Sequence, residues 1–265
     1  MTEAWTEEGG AARAVEHLRA AVLRRRPIPR LTETMALSLD QAYEIQKRLI
    51  EVDLAAGARR IGYKMGLTSP AKMKQMNVDV PVFGQLLDRM LLQDGAPLRR
   101  EELIHPRVEL EVAVILGDGV DPDRVKTVDD VASRIRAMAV ALEVIDSRYE
   151  GFRFTLPDVV ADNASAARFV LGSAFVRPSK DVHLWGARLF KNGEAVGFGT
   201  PANVLGHPFA AVLALARLLA ERGFPPLAAG DVVLTGAIGE AVPVEAGDVV
   251  EGVLDHAGSV HLRLV

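Results

Sequence analysis

The chain has no cysteine at any of its 265 positions. Disulfides, thiolate metal sites, iron–sulfur clusters and cysteine nucleophiles are therefore excluded. It has no excess of positive charge. The formal net charge is −4, the pI is about 5.9, and no basic stripe marks a nucleic-acid surface. The opening "MTEAWTEEGG" is acidic and lacks the apolar core of a secretory signal. The longest apolar run, "PFAAVLALARLLA", carries Arg217 and reads as too short to span a bilayer. There is no Walker A loop, no G-x-S-x-G elbow, no well-placed G-x-G-x-x-G, and no histidine pair at i, i+4 with a glutamate. No internal repeat stands out. What remains is an ordinary globular balance, 49% hydrophobic and 25% charged, with enough chain for a sizeable core. A soluble, cytoplasmic protein that binds neither nucleic acid nor membrane is expected.

The first third reads as helical. "AARAVEHLRAAVLRRR" has helical spacing and stops before Pro27. "SLDQAYEIQKRLIEVDLAAG" opens on Ser38 and Gln41, spaced as a capping box, and ends at Gly57. "SPAKMKQMN" fits a short helix with Ser69 as N-cap. Strands then dominate, at 61–65, 108–116, 139–146, 167–176 and 182–190. Asn192-Gly193 is a hairpin signal, and three Gly/Asp-bounded strands close the chain. Helices at 127–138 and 208–222 interrupt them. Strands and helices do not alternate regularly, which argues against a doubly wound sheet. The expected class is α+β, with a helical region over 1–60 and a β-rich catalytic domain over 61–265.

"HPRVELEVAVIL" alternates with period two, so Glu109 and Glu111 share one strand face that turns apolar at Ala113 and Ile115. A wet strand face is one explanation. Two carboxylates at the margin of a core otherwise need a shared proton or a bound cation, and hard divalent cations take oxygen ligands. Glu143, alone in "MAVALEVIDSRY", is either a third ligand or half of an ion pair. Arg148 is a natural partner for Asp146. Lys64 lies between Gly62 and Gly66, as a solvated edge lysine or a cation acting on substrate. Asp162, Asn163 and Ser165 form a turn or a polar pocket loop. His105 is a turn residue or a neighbour of the site.

Long segments resemble one known family. "GYKMGLTSPAKMKQMNVDVPVFGQL", "HPRVELEVAVIL", "EVIDSRYEGFRFTLPDVVADNASAARFVLG", "NGEAVGFGTPANVLGHP" and "GDVVLTGAIGEAVPVEAGD" occur in order from about residue 36 to the end. They are similar to the hydratase/decarboxylase branch of the fumarylacetoacetate hydrolase superfamily, which implies that family's mixed β-sheet core. The resemblance implies a divalent metal, Mg²⁺ or alternatively Mn²⁺, on Glu109, Glu111 and Glu143. It implies catalytic roles for Lys64 and for Asp79 over the pocket, and a substrate contact at Ser165. Asn77 stands where glycine is expected before "VD"; asparagine tolerates left-handed backbone angles.

The implied chemistry is that of a lyase on a small 2-oxo dicarboxylic acid. Such an acid chelates a metal through its C1 carboxylate and C2 carbonyl. The resemblance points to metal-dependent decarboxylation of 4-oxalocrotonate (2-oxohex-3-enedioate) in aromatic meta-cleavage catabolism. The alternative is the 2-keto-4-pentenoate hydratase reaction; a catalytically silent metal-binding scaffold is a third class. The family also implies a homo-oligomer and a complex with the partner hydratase. Phe152, Phe154 and Leu156 would form an apolar row facing the distal end of the substrate if that stretch is extended, or would simply pack the core.

Overall fold

The computed structural model describes residues 7–70, 73–74, 78 and 80–265. Helices α1 (Glu7–Arg24), α2 (Leu31–Thr34) and α3 (Leu39–Ala55) lead the chain. At the start of α3, Ser38 and Gln41 close the expected capping box: the Gln41 N–H donates to the Ser38 hydroxyl, and the Ser38 N–H donates to the Gln41 side chain. Asp79, Asn77 and most of the proposed helix after Ser69 lie outside the described residues.

Two sheets follow. The larger runs in the order β2 (Val82–Leu87), β1 (Arg60–Gly66), β10 (Val232–Ala237), β5 (Arg107–Leu116), β6 (Ile135–Ile145), β7 (Ala166–Leu171), β3 (Leu91–Leu92), with β11 (Val242–Pro243) also paired to β5. The smaller runs β4 (Pro97–Leu98), β13 (Gly258–Leu264), β12 (Val249–Leu254), β8 (Ala187–Lys191), β9 (Glu194–Gly199). Both are mixed: β1 with β10, β3 with β7 and β4 with β13 are parallel pairs, and the rest are antiparallel. Asn192 and Gly193, both with positive φ, turn β8 into β9 as the sequence predicts.

The two faces of β5 and β6 divide the interior. Val108, Leu110, Val112, Val114, Leu142 and Val144 enter the main core, together with Leu18 and Ile45 from the helices and Val250 and Val260 from the second sheet. The opposite face puts Ala113, Ile115 and Ala141 into a smaller cluster with Leu234, Phe169 and Leu86. The carboxylates belong to this second face.

Three boundaries depart from expectation. The helix proposed over 127–138 is only α4 (Val128–Ala132), capped by Thr127 and Asp130 as read, and its last residues already belong to β6. Residues 182–184 form a 3₁₀ turn before β8 rather than a strand, and β7 stops at Leu171. The longer stretch Pro201–Glu221, which contains the apolar run "PFAAVLALARLLA", is long and apolar enough to cross a membrane by length and composition alone. It comprises a 3₁₀ turn and α6 (Pro208–Glu221), which buries Phe209, Val212, Leu215 and Leu219 in the main core.

Candidate metal centre and active site

Glu109 faces Glu143 directly across the β5–β6 pairing, and Glu111 follows two residues on, opposite Ala141. Like charges directly opposite one another on a sheet repel, and these three side chains are buried, Glu111 and Glu143 completely. One oxygen from each lies within 4.8 Å of the others. The chain compensates this charge only in part. Lys64 on β1 brings Nζ to 3.0 Å from Glu143 Oε2 and donates to the Ala164 carbonyl at 3.1 Å. The Gly236 N–H donates to Glu111 Oε2 at 2.7 Å. A bulge in the β10–β5 pairing turns that N–H inward. Gly236 has φ 117°, and a Cβ there would lie 2.1 Å from Thr68 Oγ1, so only glycine fits. Among the other described residues, no donor meets buried Glu111 Oε1 or Glu143 Oε1, and these two carboxyls lie close enough to each other to share a proton.

The electrostatics follow from this crowding. Burial, then the neighbouring Glu143, pushes the Glu111 carboxyl well above the usual range; burial also raises Glu143, against the pull of Lys64. Burial alone would depress the Lys64 ammonium, but Glu143, Glu109 and Glu111 together outweigh it and hold its pKa above the ordinary value. Among the described residues, Lys64 is one positive charge against three buried carboxylates, an excess that, when they are ionised, a divalent cation would offset. The donor set is all carboxylate oxygen, as a hard cation requires, and two of those oxygens lack hydrogen-bond donors among the other described residues. The residues therefore fit a divalent metal.

Lys64 is thus neither solvated nor at an edge: β1 lies between β2 and β10, and the side chain is 3% exposed. Arg148 does not pair with the Asp146 carboxylate. It forms a short ion pair with Asp162 and donates to the Asp146 and Ala166 carbonyls, while Asp146 accepts from the Ile104 and His105 N–H groups. The polar loop is a turn and a pocket wall at once. Asn163, Ala164 and Ser165 all have positive φ, at 51°, 51° and 59°, an arrangement costing roughly 1–2 kcal/mol per residue. The Asn163 amide holds it by accepting from the Gln85 N–H and donating to the Gln85 carbonyl. Gly84 allows the close approach, since a Cβ there would sit 2.5 Å from the Asn163 carbonyl oxygen. This turn aims the Ala164 carbonyl at Lys64 and leaves the buried Ser165 hydroxyl without a partner among the described residues.

A cleft of about 940 Å³ opens over the cluster. Lys64, Glu109 and Ser165 line it, so it gathers the sequence-predicted residues on the described elements; Glu111 and Glu143 lie behind Glu109. Its wall includes Val82, Ile145, Phe152, Phe154 and Val159, and its margin Arg30, Arg107 and Arg153. The predicted apolar row is only partly present. Gly151 and Phe152 turn the chain at positive φ, Phe152 and Phe154 reach the cleft, and Leu156 instead begins α5 (Leu156–Ala161) against the core. The sequence reading missed the Gly236 N–H, the Ala164 carbonyl and Arg107. The last was detectable, since it shares the period-two face of Glu109; the first two are backbone groups whose role depends on a bulge and a strained turn.

The family model for the fumarylacetoacetate (FAA) hydrolase C-terminal region matches residues 59–265. The chain belongs to the fumarylacetoacetate hydrolase family. Among curated members of that family, it is 39% identical to a 4-oxalocrotonate decarboxylase of a Pseudomonas species, over 94% of this chain and 96% of the relative. It is 37% identical to a 2-keto-4-pentenoate hydratase of Paraburkholderia xenovorans, over 93% and 92%. A solved 4-oxalocrotonate decarboxylase from Pseudomonas putida G7, complexed with magnesium and adipate, superposes with a TM-score of 0.94 at 38% identity, over 98% of this chain and 99% of that one. The α+β architecture with leading helices and large mixed sheets is the fold of this family.

Proposed function

We propose that the chain is a metal-dependent lyase that decarboxylates 4-oxalocrotonate (2-oxohex-3-enedioate) to 2-hydroxypenta-2,4-dienoate in the catabolism of aromatic ring-cleavage products. The carrying observation is the cleft itself, which Lys64 and Glu109 of the buried carboxylate–lysine cluster line together with the apolar Val82, Ile145, Phe152, Phe154 and Val159. Glu109, Glu111 and Glu143 would hold Mg²⁺ or Mn²⁺, which when bound supplies a Lewis acid for the 2-oxo acid end of the substrate. The relatives named as decarboxylases, and the relative structure complexed with magnesium, support this reading.

The chain's own groups do the rest. The Ser165 hydroxyl, without a partner among the described residues, donates to a substrate oxygen. Lys64 stays protonated among the carboxylates and supplies a proton and positive charge where the C2 oxygen gains electron density. As the C5–C6 bond breaks, its electron pair forms the C4=C5 double bond. The C3=C4 pair shifts to C2=C3, the carbonyl pair passes to oxygen, and neutral CO₂ departs. The apolar wall favours that step, because it solvates CO₂ better than a carboxylate and keeps nucleophilic water away. Asp79 is retained as a polar catalytic group on the strength of the family resemblance. The protein works in the cytoplasm as a homo-oligomer and associates with the hydratase that consumes its product.

The hydratase relatives make hydration the competing reading. It needs a group that delivers water to the diene, and the apolar residues Val82, Ile145, Phe152, Phe154 and Val159 of the cleft supply none. With Mg²⁺ and 2-oxohex-3-enedioate, the protein is expected to release CO₂ and form the dienoate, and to hydrate added dienoate slowly or not at all. Rapid hydration without CO₂ release overturns the decarboxylase assignment.

A further inference from the structure

We propose that Arg107 is a specificity-determining residue, reading the distal carboxylate of a six-carbon dicarboxylate at the margin of the cleft. The identity of the ligand rests on the decarboxylase reading above; the subsite rests on geometry. β5 presents Arg107, Glu109 and Glu111 on a single face, and both Arg107 and Glu109 line the cleft. Residues two apart on a strand are about 7 Å apart, and a six-carbon chain spans about 6 Å between its end carbons. A diacid with one end beside Glu109 has its other end within reach of Arg107.

The guanidinium is prepared for such a ligand. Its Cζ lies 4.5 Å from the centroid of the Phe152 ring. Stacking fixes the plane of the group while leaving its N–H edges free for a planar, bidentate carboxylate. Among the described residues, Arg107 forms no ion pair and no side-chain hydrogen bond, whereas Arg148 is tied to Asp162 and Arg30 to Glu33. Arg153, next to Phe152 in sequence, lines the same cleft and is likewise without a carboxylate partner among the described residues. The cleft thus has opposite demands at its two ends: a cation between carboxylates at the base, and a carboxylate beside arginines at the margin. The marginal contact is with the substrate before reaction and is lost when the carboxylate leaves as neutral CO₂. It therefore governs affinity and selection rather than the rate of the bond-breaking step.

The test is calorimetric titration of the Mg²⁺-supplemented protein with adipate, a six-carbon diacid, and hexanoate, the matching monoacid. The wild type is expected to bind adipate roughly tenfold or more tightly than hexanoate, the scale of one charge-assisted contact. Arg107→Gln is expected to weaken adipate by about that factor and leave hexanoate unchanged. Arg107→Lys keeps the charge but loses the fork, so its preference should be intermediate; it also carries the test if the glutamine variant does not fold. In turnover, KM for the diacid should rise about tenfold in Arg107→Gln, and kcat should not fall, because the lost contact is one the substrate makes before reaction. A diacid preference that survives both substitutions, or equal weakening of both ligands, overturns the assignment of Arg107. If adipate preference depends on Arg107 but the wild type releases no CO₂, the subsite stands and the decarboxylase reading falls.

Discussion

The β5–β6 ribbon has two unlike ends on one face. Toward one end, Arg107, Glu109, Glu111 and Glu143 occupy consecutive positions; toward the other, Ala113 pairs with Ala139 and Ile115 with Ala137. The backbone geometry is the same throughout and nearly all of these side chains are buried. At the apolar end each side chain gains from leaving water. At the charged end burial is opposed by desolvation and repulsion, which Lys64 and the Gly236 N–H offset in part and a bound divalent cation would offset further. The strain of the Asn163–Ser165 turn lies beside the charged end as well. One end of the ribbon therefore holds the fold together, and the other is held in place by it.

The largest effect should come from erasing that contrast. Ala113→Glu puts a fourth carboxylate at the apolar end, two residues past Glu111, with no donor or cation to meet it. It should cost about 4 kcal/mol or more of stability, read from the urea midpoint; a loss below about 1 kcal/mol would show that this end tolerates charge. Glu109→Gln should instead leave a folded protein with turnover reduced about 10³-fold, close to 4 kcal/mol of barrier. Turnover within tenfold of wild type would remove Glu109 from the site.

Lys64→Met keeps the buried bulk and removes the charge. It should lower kcat about 10²-fold, the scale of losing one proton-transfer or electrostatic group, and also lower the Tm, less in Mg²⁺ than without it, because buried Glu143 loses its ion-pair partner. A variant with normal kcat and a much lower Tm would make Lys64 structural. Glu111→Gln should act in the opposite sense on stability: the amide oxygen can still accept from the Gly236 N–H, and the carboxyl whose ionisation burial and Glu143 oppose is gone. The metal-free variant should be more stable than the metal-free wild type by about 1 kcal/mol, yet inactive, a trade expected where function is built on unfavourable burial. A destabilised Glu111→Gln would mean that the three carboxylates do not repel in the absence of metal.

How far the sequence disclosed this contrast depends on the range of the interactions involved. The period of β5 revealed the shared face of Glu109 and Glu111 and its apolar continuation, because alternation is local. The Ser38–Gln41 box and the Asn192-Gly193 turn were legible for the same reason. Residues 135–138 were read as the end of a helix, since a short apolar run fits either period and only pairing with β5 decides. Lys64 looked exposed because its glycine neighbours suggest room; the pairing of β1 between β2 and β10 buries it. Arg148 was assigned to the adjacent Asp146, but the partner it meets, Asp162, lies 14 residues away. Alternation of Phe152, Phe154 and Leu156 suggested a row that the Gly151–Phe152 turn breaks.

The central claim is that the charged end of the ribbon is completed by a divalent cation. The most direct measurement is the unfolding free energy of wild type and Glu109→Gln, each with and without Mg²⁺. The account predicts that Mg²⁺ stabilises the wild type, by about 2.7 kcal/mol at a hundredfold excess over Kd, and that this gain disappears in Glu109→Gln. An equal gain in both proteins, or none in the wild type, would contradict it.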